Sequence, residues 1–254
     1  MSFVLVTGAS SGIGEVFARQ LAAEKQNLIL VARREEKLQA LASELAGQHG
    51  IQTEVIASDL STPDGAETLA NTIIERGYGL SGLVNNAGFG DRGKFDELAL
   101  ERQQNMIQVN IASLVALTWK LVPLLKKQPG SFIINVASIA SFQAGPYMAV
   151  YYATKAFVLS FSESIREELR GSGISVSALC PGPTDSEFAQ HAHMDGTPLF
   201  RSGVMMTTEA VVKQALAKRR NAIVIPGLRN LLLIWSSKFA PRWLSRRVAG
   251  RLQK

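Results

Sequence analysis

The sequence predicts a doubly wound, parallel α/β fold of about seven strands in a single domain, and three observations carry that expectation. Short apolar or β-branched runs alternate with longer stretches of helical period, as in successive βαβ units. Most of the short runs are apolar on consecutive residues, as strands covered on both faces should be. The first of them ends in a glycine-rich turn that opens directly into a helical pattern. With 254 residues, 46% hydrophobic and 19% charged, the chain has the apolar material for one sizeable core. No internal repeat, low-complexity tract or linker marks a second domain.

Strand one is expected at Phe3–Val6, followed by Thr7-Gly8-Ala9-Ser10-Ser11-Gly12-Ile13-Gly14 and a helix at about 13–25. Glycines in such a turn allow a tight bend, close backbone approach to a pyrophosphate and close helix packing. The helix N-terminus adds free N–H groups and a positive dipole end. Gly8, Ser10, Ser11, Gly12, Ile13 and Gly14 thus form a candidate phosphate cradle of Rossmann type, against the alternative of a purely structural turn. Strand two, Asn27–Val31, runs into Ala32-Arg33-Arg34 ahead of a helix at 35–48. An NAD-preferring protein usually places a carboxylate about 20 residues past the glycines, on the ribose 2′-OH. Ala32 stands there instead, and the guanidinium groups of Arg33 and Arg34 suit a 2′-phosphate. NADP(H) is therefore the expected coenzyme. The alternative puts Glu35 or Glu36 on the ribose, but acids in a first helical turn are favoured by the dipole in any case.

Strand three, Thr53–Ala57, is followed by Asp59, Leu60 and a helix at 64–76. Strand four, Gly82–Asn85, leads to Asn86-Ala87-Gly88 and a long apolar helix at 98–127 that contains Asn110. Strand five, Ser131–Val136, leads to Ser138, and a helix at 151–170 begins with Tyr151-x-x-x-Lys155. Four-residue spacing puts these two side chains on one helix face. A lysine ammonium about 4 Å from a phenol favours the phenolate by about 4 kcal/mol, or about three pKa units, which would bring Tyr151 toward neutral pH for acid–base work. Tyr147 and Tyr152 are rival phenols without a lysine four residues on, Ser141 rivals Ser138, and Asn110 alone reads equally as a helix-kinking residue. Strand six, Ile174–Leu179, runs into Pro181-Gly182-Pro183-Thr184-Asp185-Ser186. The segment 186–206, with Phe188, Met194, Leu199, Phe200, Val204, Met205 and Met206, reads as an apolar, adaptable lid. A helix at 208–219 and a strand at Ala222–Ile225 complete the pattern. His191 and His193 have no further ligand nearby, so no metal is expected.

Thr-Gly-x-x-x-Gly-x-Gly, Asn85-Asn86-Ala87-Gly88, Asn110, Ser138, Tyr151-x-x-x-Lys155 and Pro181-Gly182, in this order over residues 2–225, resemble the short-chain dehydrogenase/reductase family. Within it the chain looks most like bacterial reductases similar to 3-ketoacyl-CoA reductases and 17β-hydroxysteroid dehydrogenases. The resemblance implies an NADP(H)-dependent oxidoreductase that reversibly reduces a ketone, aldehyde or 3-oxoacyl group on an apolar substrate. Tyr151 would then protonate the carbonyl oxygen, Ser138 hold it, Lys155 bond the nicotinamide ribose, and Asn110 fix a water that relays protons to Lys155. Asp59 and Leu60 would border the adenine, Asn86 and Ala87 the adenosine ribose, Gly88 would also belong to the cofactor site, and Thr184 and Ser186 would bond the carboxamide and phosphates. A threonine is more usual at the Ser186 position. A homodimer or homotetramer through the helices of Asn110 and Tyr151 is also implied. The alternative is a non-catalytic NADP(H)-sensing protein on the same fold, but such proteins commonly lack the Tyr or Lys retained here.

The single cysteine, Cys180, allows no internal disulfide and agrees with a reducing compartment. The N-terminus reads as a strand rather than a signal peptide, and no apolar run approaches the 18 or so residues of a membrane span. Cytoplasmic location is expected, and no nucleic-acid partner. Of the 27 basic residues, 11 fall between Ala210 and Lys254, where there is no acid. Residues 1–226 are accordingly expected to form the catalytic domain, and 227–254 a basic amphipathic extension of it. In the extension Leu244, Val248 and Leu252 form one stripe among arginines. Three uses fit this stripe: packing on the chain or a partner subunit, peripheral membrane contact, or attraction of an acidic substrate.

Overall fold

The computed structural model describes residues 1–194, 197 and 205–253, except for the side chains of residues 237 and 238. Leu199, Phe200 and Val204 of the expected lid lie outside the described residues. The chain runs β1 (Ser2–Thr7), α1 (Gly12–Ala23), β2 (Asn27–Ala32), α2 (Glu35–His49), β3 (Thr53–Ala57), α3 (Gly65–Glu75) and β4 (Gly79–Asn85). Then follow α4 (Leu100–Ile107), a π-helical stretch (Gln108–Ser113), α5 (Leu114–Leu125), β5 (Phe132–Val136) and α6 (Ala149–Glu168). The remainder is β6 (Ser175–Leu179), β7 (Thr184–Asp185), α7 (Phe188–His191), β8 (Met206–Thr207), α8 (Thr208–Ala217), β9 (Ile223–Val224), α9 (Leu228–Phe239) and α10 (Arg242–Leu252).

Seven parallel strands lie in the order β3-β2-β1-β4-β5-β6-β9. Because successive side chains point to opposite faces, each strand feeds two cores. Val4 and Val6 pack with Phe17, Leu21, Leu38 and Val212 from α1, α2 and α8. Phe3 and Leu5 pack with Leu69, Ile73, Leu117 and Leu121 from α3 and α5. The chain leaves β1 toward β2 on one side, while β4 lies on its other side, so a crevice opens between the loops that follow β1 and β4.

Three expectations need correction. The continuous helix at 98–127 is instead α4 and α5 joined through π-helical turns, the geometry that often marks functional sites, and Asn110 lies within them. The last strand keeps only two of its four expected residues. Leu100–Leu125 is, by length and composition, apolar enough to cross a membrane. Counting uninterrupted apolar runs missed it, because isolated polar residues break the run without lowering the mean hydropathy enough. Here Leu117, Leu121 and Leu125 are buried against the sheet, as in the core helix of a globular domain. Residues 228–252 form two helices separated at Pro241 after the extended Ala240, a geometry that proline imposes on its predecessor.

Candidate active site

The glycine turn takes the shape that its residues suggest. Gly8 has φ +67°, and a Cβ there would lie 2.7 Å from the Asn86 amide nitrogen. A Cβ on Gly14 would run into the Gly8 carbonyl, so both positions require glycine. Asn86 locks the turn to the end of β4. Its Nδ2 donates to Thr7 O (2.9 Å) and Gly8 O (3.2 Å), and its main-chain N–H donates to Thr7 Oγ1. Ser11 is the N-cap of α1, yet its side chain does not cap the helix, so the first-turn N–H groups face the crevice. This open helix start fits a dinucleotide pyrophosphate.

Arg33 and Arg34 follow β2 and border the same crevice. Arg34 donates from Nε to Ser10 Oγ and from Nη2 to Ser10 O, both at 3.2 Å. It also pairs with Glu187 at 3.3 Å, while Lys37 stands 3.8 Å from the other oxygen of that carboxylate. Burial raises the Glu187 pKa, but the Ser11 hydroxyl and these cations outweigh it and hold the group below the usual carboxylate range. An anion therefore already sits among Ser11, Arg34 and Lys37. Sequence reasoning missed Glu187 because its partners are remote in the chain. Asp59 is kept ionised by the Ser61 N–H (2.9 Å), and the exposed Arg33 acts in the same direction.

Ser138, Tyr151 and Lys155 come together where β5 meets α6. Ser138 starts a 3-10 turn, its Oγ accepting from Ala140 N at 3.1 Å. Tyr151 is 9% exposed in the first turn of α6, with the Phe188 ring 5.4 Å away. Burial pushes its phenol well above the ordinary value, and a hydrogen bond with Ser138 opposes that. Lys155 is also buried, 5.9 Å from the centre of the Tyr151 ring, and donates to Val136 O at 2.7 Å. Burial pulls its pKa down to about 8. The Lys155 ammonium thus lies on the Tyr151 side of the site while its hydrogen bond goes to a backbone carbonyl.

The Asn110 carboxamide accepts from Phe89 N (3.1 Å) and donates to Phe89 O (3.0 Å) and Thr154 Oγ1 (3.1 Å), bracing the loop after β4 against α6. Gly88 is 3.5 Å, at its would-be Cβ, from Lys155 Nζ. Thr184 bonds Gly182 O, and Ser186 Oγ accepts from Phe188 N, so both brace the turn after β6. Of the rivals, Tyr152 bonds Gln253, and Ser141 Oγ donates to Lys155 O. His193 pairs with the buried Asp91 at 3.1 Å and His191 lies 3.7 Å from Glu187.

One cavity of about 960 Å³ joins these parts. Gly8, Arg33, Asp59, Leu60, Ala87 and Gly88 border one end, Pro181, Gly182, Thr184 and Ser186 the middle, and Tyr151 and Lys155 the floor. Its far end is walled by Met148, Tyr152, Phe188 and Met194 and roofed by the C-terminal helices through Ile234, Leu244, Val248 and Leu252. Gln253, 1% exposed, fastens this roof: its Nε2 donates to the Tyr152 hydroxyl at 3.0 Å, and its main-chain carbonyl accepts from Arg92 at 2.8 Å. The extension thus packs on its own chain, over the cavity, a role with no local signal in the sequence.

Strand order, switch-point crevice and glycine turn define a dinucleotide-binding α/β protein of Rossmann type. The profile of the short chain dehydrogenases matches residues 2–196. The 7beta-hydroxysteroid dehydrogenase of Collinsella aerofaciens is 30% identical over 229 residues, covering 89% of this chain and 86% of that one. A solved 7beta-hydroxysteroid dehydrogenase superposes with a TM-score of 0.88 at 28% identity, over 98% of this chain and 96% of that one. A short-chain dehydrogenase from Sphingobium yanoikuyae in complex with NADPH gives 0.84 at 32% identity, over 94% and 92%. The chain belongs to the short-chain dehydrogenase/reductase family, and it is an oxidoreductase.

Proposed function

We propose that this oxidoreductase uses NADPH to reduce a carbonyl on an apolar substrate, a ketone, aldehyde or 3-oxoacyl group, to the alcohol. The observation that carries the reading is the buried Tyr151 beside Ser138 and Lys155 at the floor of a cavity whose far wall is apolar. The coenzyme, when bound, supplies the hydride. Tyr151 donates the proton to the carbonyl oxygen, and Ser138 holds that oxygen by its hydroxyl. Burial by itself makes the phenol a weaker acid, and the Ser138 hydrogen bond opposes that push and so eases release of the proton to the carbonyl. Lys155, whose pKa burial lowers to about 8, would bond the nicotinamide ribose. Arg33, Arg34 and Ser10 would hold the 2′-phosphate, and the uncapped start of α1 the pyrophosphate. The NADPH complex of the Sphingobium relative supports this choice of coenzyme. The hydroxysteroid dehydrogenase relatives support a bulky alicyclic ketone as one substrate class.

NADPH consumption against a panel of apolar ketones, aldehydes and 3-oxoacyl thioesters tests the reading. Tyr151→Phe should lose about 10²–10⁴-fold in turnover while binding NADPH nearly as before. A mutant that kept more than about a tenth of the rate would overturn the assignment.

A further inference from the structure

Ten of the eighteen large apolar side chains left exposed among the described residues fall within 228–252. On α9, Leu228, Leu232, Trp235 and Phe239 are 72%, 61%, 57% and 79% exposed, and their spacing of four, three and four sets them on one helix face. The opposite face carries the buried Asn230 and Ile234 toward the domain. Leu233, Leu244, Val248 and Leu252 line the cavity, yet they are 39–47% exposed, so they form its mouth. The exposed apolar face and the mouth of the cavity are therefore borne by the same two helices. Arginines flank them: Arg246, Arg247 and Arg251 surround a second, shallow cavity of about 420 Å³ beside Pro146 and Tyr147, and no acid occurs in the chain after Glu209.

We propose that α9 and α10 dock on an anionic lipid surface and open the cavity mouth onto it, so that apolar substrate enters from the lipid phase. This rests on the reading of the site as an apolar-carbonyl reductase. Protruding tryptophan and phenylalanine beside arginines suit the interface, where rings enter the acyl boundary and cations meet acidic headgroups. A second copy of this chain is the poorer occupant, since a two-fold interface would set the arginines against themselves.

Flotation of the full chain with vesicles of phosphatidylcholine alone, or of phosphatidylcholine with phosphatidylglycerol, tests the docking. The chain should float with the anionic vesicles at low salt, stay behind with the neutral ones, and be released by salt. Trp235→Glu with Phe239→Glu should weaken flotation by about tenfold or more, and Arg246→Gln with Arg247→Gln should reduce the salt-sensitive part. In both variants, NADPH binding and turnover of a water-soluble ketone should stay within about twofold, while KM for a long-chain ketone presented in vesicles rises. If the full chain remains unbound on anionic vesicles, or the glutamate variant floats equally well, the docking is wrong. If light scattering shows that the glutamate variant splits a larger assembly, the face joins two copies and the docking is again wrong. Flotation is read without turnover, so a chain that floats but reduces no carbonyl overturns the reductase reading and leaves the docking standing.

Discussion

Replacing Glu187 by glutamine removes the anion that occupies the Arg34 guanidinium without changing side-chain size. The pair is 3.3 Å apart with side chains 42% and 40% exposed, so it is a solvent-screened contact of about 0.2–1 kcal/mol. If the 2′-phosphate of NADPH must displace this carboxylate, Glu187→Gln should tighten NADPH by about 1.4- to 5-fold and leave NADH within error. Arg34→Ala removes the cation itself, and the loss of charged hydrogen bonds, about 1.5–3 kcal/mol, corresponds to about 10- to 160-fold weaker NADPH. In the double variant Glu187→Gln should gain nothing further, because the competition no longer exists. Fluorescence titration of both nucleotides against the four proteins reads all of this. Equal changes for NADPH and NADH, or weaker NADPH binding by Glu187→Gln, would refute the assignment of the 2′-phosphate to Arg34.

Two further outcomes follow from the geometry. Lys155 loses its proton as pH rises through about 8, so kcat/KM for NADPH should decline above that pH, and the decline should be missing from the residual activity of Lys155→Met; a wild-type profile flat from about pH 7 to 9 would refute it. Trp119 on α5 is 77% exposed, and Ile107 on α4 and Phe157 on α6 are 44% and 40% exposed, in keeping with subunit pairing through these helices. Light scattering should show at least a dimer that Trp119→Glu dissociates, and a wild-type monomer at micromolar concentration would contradict the pairing.

What was legible in the sequence was whatever depends on neighbours along the chain. Strand periodicity foretold β1 to β6 to within a few residues, because burial on both faces demands continuous apolar runs. The turn from Thr7 to Gly14 was legible because its backbone angles admit little but glycine at Gly8, and the Tyr151–Lys155 spacing because four residues make about one helical turn. Three features were decided only by the tertiary structure. The direction of the Tyr151 shift depends on how deeply the phenol is buried among Met148, Tyr152 and Phe188, which a spacing of four does not encode. The contact of Glu187 with Arg34 spans 153 residues, and that of Gln253 with Tyr152 spans 101. The periodicity of 227–254 specified an amphipathic helix but left open what its apolar stripe would meet. Packing decided that, by laying the stripe across the mouth of the cavity, since an amphipathic pattern states that a face must be covered and only the folded surface provides the cover.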